Sequence, residues 1–185
     1  MSADVVELIM QDHREVERLF DQLKNSPETR PLLTPVLAAL LVAHSRAEEA
    51  EVYPAAKDEA GDVEDVAHSQ EEHAKAEQML KRLVEADPES DQYGQLLTEL
   101  EEAISHHVEE EESKVLPDLK EAFDEQRRMQ LGKAFVESRT RHLGEMPGEA
   151  TKEELQWQAH NMGLAGASTM DKAELEKELK ARASL

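Results

Sequence analysis

Cysteine is absent from this chain of 185 residues, which excludes a disulfide framework, a thiolate nucleophile and any cysteine-held zinc or iron–sulfur site. A metal here has to be held by histidine, carboxylate or phenolate. Aromatic residues are scarce, at 3%, and no segment alternates apolar and polar residues, so β-strands find no support. The opening stretch "MSADVVELIMQDH" has no basic region, and nowhere does the chain carry an apolar run long enough to span a bilayer; the expectation is a soluble, cytoplasmic protein without a membrane segment. Positive charge is also short. Lys and Arg number 21 against 42 Asp and Glu, a net charge of −21, which argues against nucleic acid or an anionic membrane as partner because either would repel it. Cations are the natural partners of such a surface, although acidic solvated faces are common on helical proteins and most of this charge needs no partner.

What the chain does have is helix-forming composition, rich in Glu, Ala, Leu, Lys and Gln. A first helix over about 3–24 places Val6, Ile9, Met10, His13, Val16, Leu19, Phe20 and Leu23 on one face. "NSPETRP" breaks it, and Thr34 followed by Pro35 reads as an N-cap with proline at the first helical position, starting a second helix that reaches about Ala60 and stops at Gly61. Asp62 is placed to cap a third helix, which runs to about Ala86 and ends at "DPES". A fourth, from Asp91 towards Pro117, carries Leu96, Leu97, Leu100, Ile104, His107, Val108 and Glu111. Pro54 and Pro117 must kink or end their helices. Four long helices with short connections predict an all-α, antiparallel up-down four-helix bundle. One extra helix, over about 124–142, is expected across it.

The bundle reads as one helical hairpin written twice. "DHREVERLFDQL" from Asp12 matches "EHAKAEQMLKRL" from Glu72, pairing His13 with His73, Phe20 with Leu80 and Leu23 with Leu83. "HSRAEEAEVYP" from His44 matches "HVEEEESKVLP" from His107, pairing Glu48 with Glu111, Glu49 with Glu112 and Pro54 with Pro117. Residues i and i+4 of a helix lie about 40° apart and one turn along, so His44 with Glu48, and His107 with Glu111, can each address one ion from one face. His13 and His73 sit at matching places within apolar stripes. Two carboxylates facing each other in a core repel unless protonated or bridged by cations. Four imidazoles and two carboxylates therefore suit a non-haem dimetal centre with open coordination positions, and suit calcium badly because hard oxygen ligands are too few.

With these motifs in order, residues 1–145 resemble the hemerythrin-like, or HHE cation-binding, four-helix bundles. The resemblance implies two non-haem iron ions held by His13, His44, Glu48, His73, His107 and Glu111, with Glu48 and Glu111 bridging, and small diatomic or peroxide molecules as ligands. The chain departs from the oxygen carriers of the family, which have two histidines four apart on the third helix. Here His68 and His73 are five apart, about 140° round the helix, and cannot share an ion unless the helix is distorted, for instance by a π-bulge. Reversible oxygen carriage is thus put in doubt, and reactivity with hydrogen peroxide or nitric oxide is favoured. His68 is kept as a candidate further ligand. Tyr53, whose repeat partner is Leu116, is a candidate ligand or near-site residue.

Gly and Pro in "LGEMPGEA" mark a linker, and residues 146–185 form a separate expected unit, in which Thr151 with Glu154 and Asp171 with Glu174 make capping boxes around "GLAGAST". This tail resembles the small helix-loop-helix at the N-terminus of Rho termination factor and related SAP-like modules, with Trp157 as its expected core residue. Ala167 stands where a basic residue is common, and the tail's charges balance, so a nucleic-acid footprint is missing. A protein partner for residues 151–185 is the expectation instead. Three functions compete: a di-iron protein that reacts with small oxidants, including catalase-like or peroxidase-like turnover; an iron or oxygen sensing or storage module acting through the tail; and a structural bundle without iron.

Overall fold

The computed structural model describes residues 3–183. Helix α1 (Val5–Asn25) is opened by Asp4, whose carboxylate accepts from the Val6 N–H. A short turn at Pro27–Thr29 leads straight into α2 (Arg30–Ala47), so the helix begins before Thr34 rather than at it. Pro35 stands inside the helix, and the Thr34 hydroxyl is hydrogen-bonded to the Tyr93 hydroxyl instead of capping. The chain continues through a wide π turn at Glu48–Val52 into α3 (Tyr53–Asp58). Gly61, at φ 82°, then reverses it. Helix α4 (Val63–Glu85) follows; Asp62 occupies its N-cap position without making the capping bond. Helix α5 (Asp91–Ser113) is capped by Ser90. It breaks at Lys114 before α6 (Val115–Ala122), and α7 (Glu125–His142) comes next.

Helices α1, α2, α4 and α5 form an antiparallel up-down bundle in which each touches the next round the ring, and α7 packs along α1 and α2. The expected extra helix is therefore present. Two apolar cores fill the bundle. Val16, Leu19, Phe20, Leu37, Leu83 and Leu100 belong to one; Val5, Ile9, Val52, Val66, Leu119 and Phe135 belong to the other. On α1, α2 and α4 the buried histidine falls between residues of the two cores, and on α5 His107 lies at the end of the first core, with the second taken up by Val115 and Leu116 of α6, so the polar layer is closed at both ends by side chains whose burial stabilises the fold by roughly 1.5–3 kcal/mol each. That surplus is what lets a charged layer sit in the middle.

Helices α8 (Lys152–Asn161) and α9 (Lys172–Ala183) form the C-terminal helix-loop-helix. Both capping boxes are made: Thr151 with Glu154, and Asp171 with Glu174. Leu155, Ala159, Met162, Leu175 and Leu179 form a third apolar cluster. Trp157 is not part of it. Its position on α8 faces the bundle, where the indole meets His142 of α7 edge-on at 6.1 Å. Among the described residues no helix is long and apolar enough to cross a membrane.

Candidate metal centre

The six candidate ligands converge in the layer between the two cores, and all six are buried. Ligand atoms of His13, His44, Glu48 and Glu111 lie within 4.8 Å of one another, as do those of Glu48, His73 and His107. Glu48 stands in both groups. One of its oxygens is 3.2 Å from His44 Nε2 and the other 3.3 Å from His73 Nε2. Glu111 Oε2 is 3.2 Å from His13 Nε2 and 3.9 Å from His107 Nε2.

Each imidazole is oriented from behind by a carboxylate on a neighbouring helix. Asp12 holds His44 Nδ1 at 3.1 Å, Glu49 holds His73 Nδ1 at 3.4 Å, Glu72 holds His107 Nδ1 at 2.8 Å and Glu112 holds His13 Nδ1 at 2.9 Å. The ring of contacts runs α1 to α2, the π turn to α4, α4 to α5 and α5 back to α1. An ionised carboxylate only accepts, so each Nδ1 carries the proton and each Nε2 turns to the centre. The sequence carries a trace of this ring that the spacing argument passed over: an acid precedes His13 and His73, and a second glutamate follows Glu48 and Glu111. Arg139 of α7 anchors Asp12 in turn, and Phe135 lies edge-on to His44 at 5.7 Å.

The electrostatics follow from this crowding. Burial pulls the His44 imidazole down, but Glu48 and the bond to Asp12 outweigh it and push it up to about 10. Glu48 and Glu49 likewise raise His73, against burial, to about 9. Despite burial, His44 and His73 hold Glu48 well below the usual carboxylate range. His13 Nε2, both oxygens of Glu48, and Glu111 Oε2 are shielded from solvent yet have no hydrogen-bond partner among the described residues. Buried polar atoms are normally paired. Four such atoms aimed at one another are what a cation would satisfy, and the mixed imidazole–carboxylate set suits iron and its neighbours.

Tyr53 enters the layer because of the π turn. Pro54 has no N–H to give to the Ala50 carbonyl, and the Tyr53 N–H bonds back to Glu48 instead. The extra residue in the turn brings Tyr53 round to the face of Glu48. Its hydroxyl donates to Glu111 Oε1 at 3.2 Å and lies 3.1 Å from His73 Nε2. Burial, with Glu111, Glu48 and Glu49 nearby, pushes the phenol well above its ordinary value, so it keeps its proton. His68 lies elsewhere. Helix α4 stays regular, and the His68 side chain is 49% exposed, with Nε2 2.9 Å from Glu110. Beside the imidazoles, a cavity of about 30 Å³ is walled by Val16, Leu41, Leu80 and Ile104, room for one or two water-sized molecules.

A buried polar network behind His73 was not anticipated from sequence. Glu49 accepts from Arg46, Gln70 and Gln158, and Asn161 donates to the Glu49 carbonyl and to Gln70. Against burial, Arg46 and His73 hold Glu49 at about 2. Arg46, itself buried, also binds Glu77. On sequence alone "SRAEEAE" reads as a solvated charge run.

A family model described as the hemerythrin HHE cation binding domain matches residues 4–119 of this chain. No curated protein and no solved structure matches it.

Proposed function

Since the chain belongs to the hemerythrin HHE cation-binding family, we propose that it is a non-haem di-iron protein whose centre reacts with a small oxidant: hydrogen peroxide, dioxygen or nitric oxide. The observation that carries the reading is the set of four buried, unpartnered ligand atoms on His13, Glu48 and Glu111. His13, His44, Glu48 and Glu111 would hold one ion, and His73 and His107 with Glu48 the other. Iron bound there would supply redox equivalents and open coordination positions.

The chain's own groups prepare the site for a small polar molecule. The four Nδ1 partners fix the imidazole planes, so ligands need not be ordered when an ion arrives. Apolar walls at Leu41, Leu80 and Ile104 limit the cavity to molecules of two or three non-hydrogen atoms. Tyr53 holds a proton on its phenol oxygen beside Glu111, within reach of whatever is bound between them.

The experiment is elemental analysis of the purified protein, with an optical spectrum before and after hydrogen peroxide. Two irons per chain and peroxide consumed over many cycles, read as dioxygen release, is the expected result. An iron-free protein after anaerobic reconstitution would sink the proposal. A second reading, an iron or oxygen sensor or store acting through a partner of residues 151–185, is favoured by one observation: Gln158 and Asn161 of α8 bind the same Glu49 that orients His73. Under that reading peroxide bleaches the site once and is not turned over.

A further inference from the structure

We propose that His68, Glu72, His106 and Glu110 form a second, solvent-facing site for a divalent first-row transition ion, separate from the buried centre. Two more His-x-x-x-Glu pairs make it, one on α4 and one on α5. On α5 the pairs His106–Glu110 and His107–Glu111 are offset by one residue, about 100° of helix, so one looks outward while the other looks into the bundle. The antiparallel neighbour α4 presents His68 and Glu72 to the outward pair. One ligand atom from each of the four lies within 4.8 Å of the others: His68 Nε2 is 2.9 Å from Glu110 Oε2 and 3.4 Å from Glu72 Oε1, and His106 Nε2 is 3.7 Å from both oxygens.

Each carboxylate has one oxygen already engaged and one left for an ion. Glu110 Oε1 accepts from Lys114 at 2.8 Å, while Oε2 is shielded and has no hydrogen-bond partner among the described residues although His68 Nε2 is close. Glu72 Oε2 accepts from His107 Nδ1 at 2.8 Å, which leaves Oε1. Two imidazoles with two carboxylate oxygens are a donor set for zinc(II), iron(II), cobalt(II) or nickel(II), and too few hard oxygens for calcium. With His68 49% and His106 62% exposed, the ion would exchange freely with solvent.

The test is equilibrium dialysis of the full chain against zinc(II), with zinc and iron per chain measured separately. The wild type is expected to hold one zinc more than His68→Ala/His106→Ala, with equal iron in both proteins. The Glu110→Gln variant should weaken that zinc roughly tenfold or more, as loss of a ligand costs at least what loss of an orienting partner does. Glu72 is left intact because it also orients His107. Equal zinc in the wild type and the double variant would overturn the site. The readout is a difference between two proteins with the same centre, so it holds whether or not that centre carries iron; failure of the central reading shows as missing iron in both.

Discussion

The two halves of the duplicated hairpin carry the same His, Glu and Pro at the same spacing, yet they fold differently after the glutamate. In the first half the helix widens into a π turn at Glu48–Val52 and goes on through Pro54; in the second it breaks at Lys114 and restarts before Pro117. Tyr53 is thereby turned into the centre, while its counterpart Leu116 joins an apolar core. The surroundings differ in the same sense. Helices α7 and α8 pack on the π turn, burying Glu49 and Arg46 to 1% exposure each, whereas the matching Glu112 is 23% exposed and is met by Arg14, itself 54% exposed. A twofold motif thus supplies the candidate ligands, and the segments appended after it make one half dry and leave the other wet.

The comparison breaks most visibly at the bridging glutamates. Glu48→Ala should release both ions, because Glu48 offers a separate oxygen to each imidazole pair, whereas Glu111, whose one inward oxygen is 3.2 Å from His13 but 3.9 Å from His107, should on replacement by Ala leave part of the iron in place; iron per chain reads this, with Glu51→Ala as an unaffected control. Equal losses from the two variants would restore full symmetry to the centre. Next in size is the buried arginine. Arg46→Ala strands Glu49 and should cost roughly 3–5 kcal/mol in denaturant unfolding, against about 1 kcal/mol or less for Arg14→Ala.

Chelation should act on both halves together, since an ion that binds only the folded chain stabilises it. With free metal a hundred times the dissociation constant this is about 2.7 kcal/mol, so removing it should lower the thermal midpoint by roughly 5–10 °C. Smaller than the effect of chelation is that of Tyr53→Phe, which keeps the ring and removes the bond to Glu111. It should cost about 1 kcal/mol in denaturant unfolding and leave the iron content unchanged, while the rate of peroxide consumption falls.

Much of the bundle was legible in the residues. Apolar stripes with a helical period, the breaks at "NSPETRP" and "DPES", Thr151 at a helix start, and the repeated His-x-x-x-Glu pairs place the helices and all six candidate ligands without reference to tertiary contacts. The second helix shows where local signals mislead. Thr-Pro at 34–35 has the form of a helix start, but the Thr34 hydroxyl finds Tyr93 of a distant helix, and the neighbouring turn at Pro27–Thr29 begins the helix sooner. Trp157 misleads in the same way: a lone tryptophan in a small module reads as its core, whereas α8 turns it towards the bundle.

His68 shows a different limit. Its five-residue spacing from His73 correctly raises the question of a distorted helix, but the distortion falls on the second helix, at Glu48–Val52, and not on the third. Proline makes a local defect unavoidable there; whether the chain bends, breaks or widens depends on what packs against it.

The sequence by itself determined the candidate ligands, their pairing by helical turn and the twofold plan, because i to i+4 geometry is a property of one helix and needs no partner. Only the tertiary structure decided which carboxylate orients which imidazole, that Glu48 gives one oxygen to each imidazole pair while Glu111 gives one to the imidazoles and one to Tyr53, that Tyr53 enters the centre, and that Glu49 and Arg46 are buried. Those outcomes depend on contacts between helices distant in the chain, and on a π turn stabilised by α7 and α8, which no local spacing encodes.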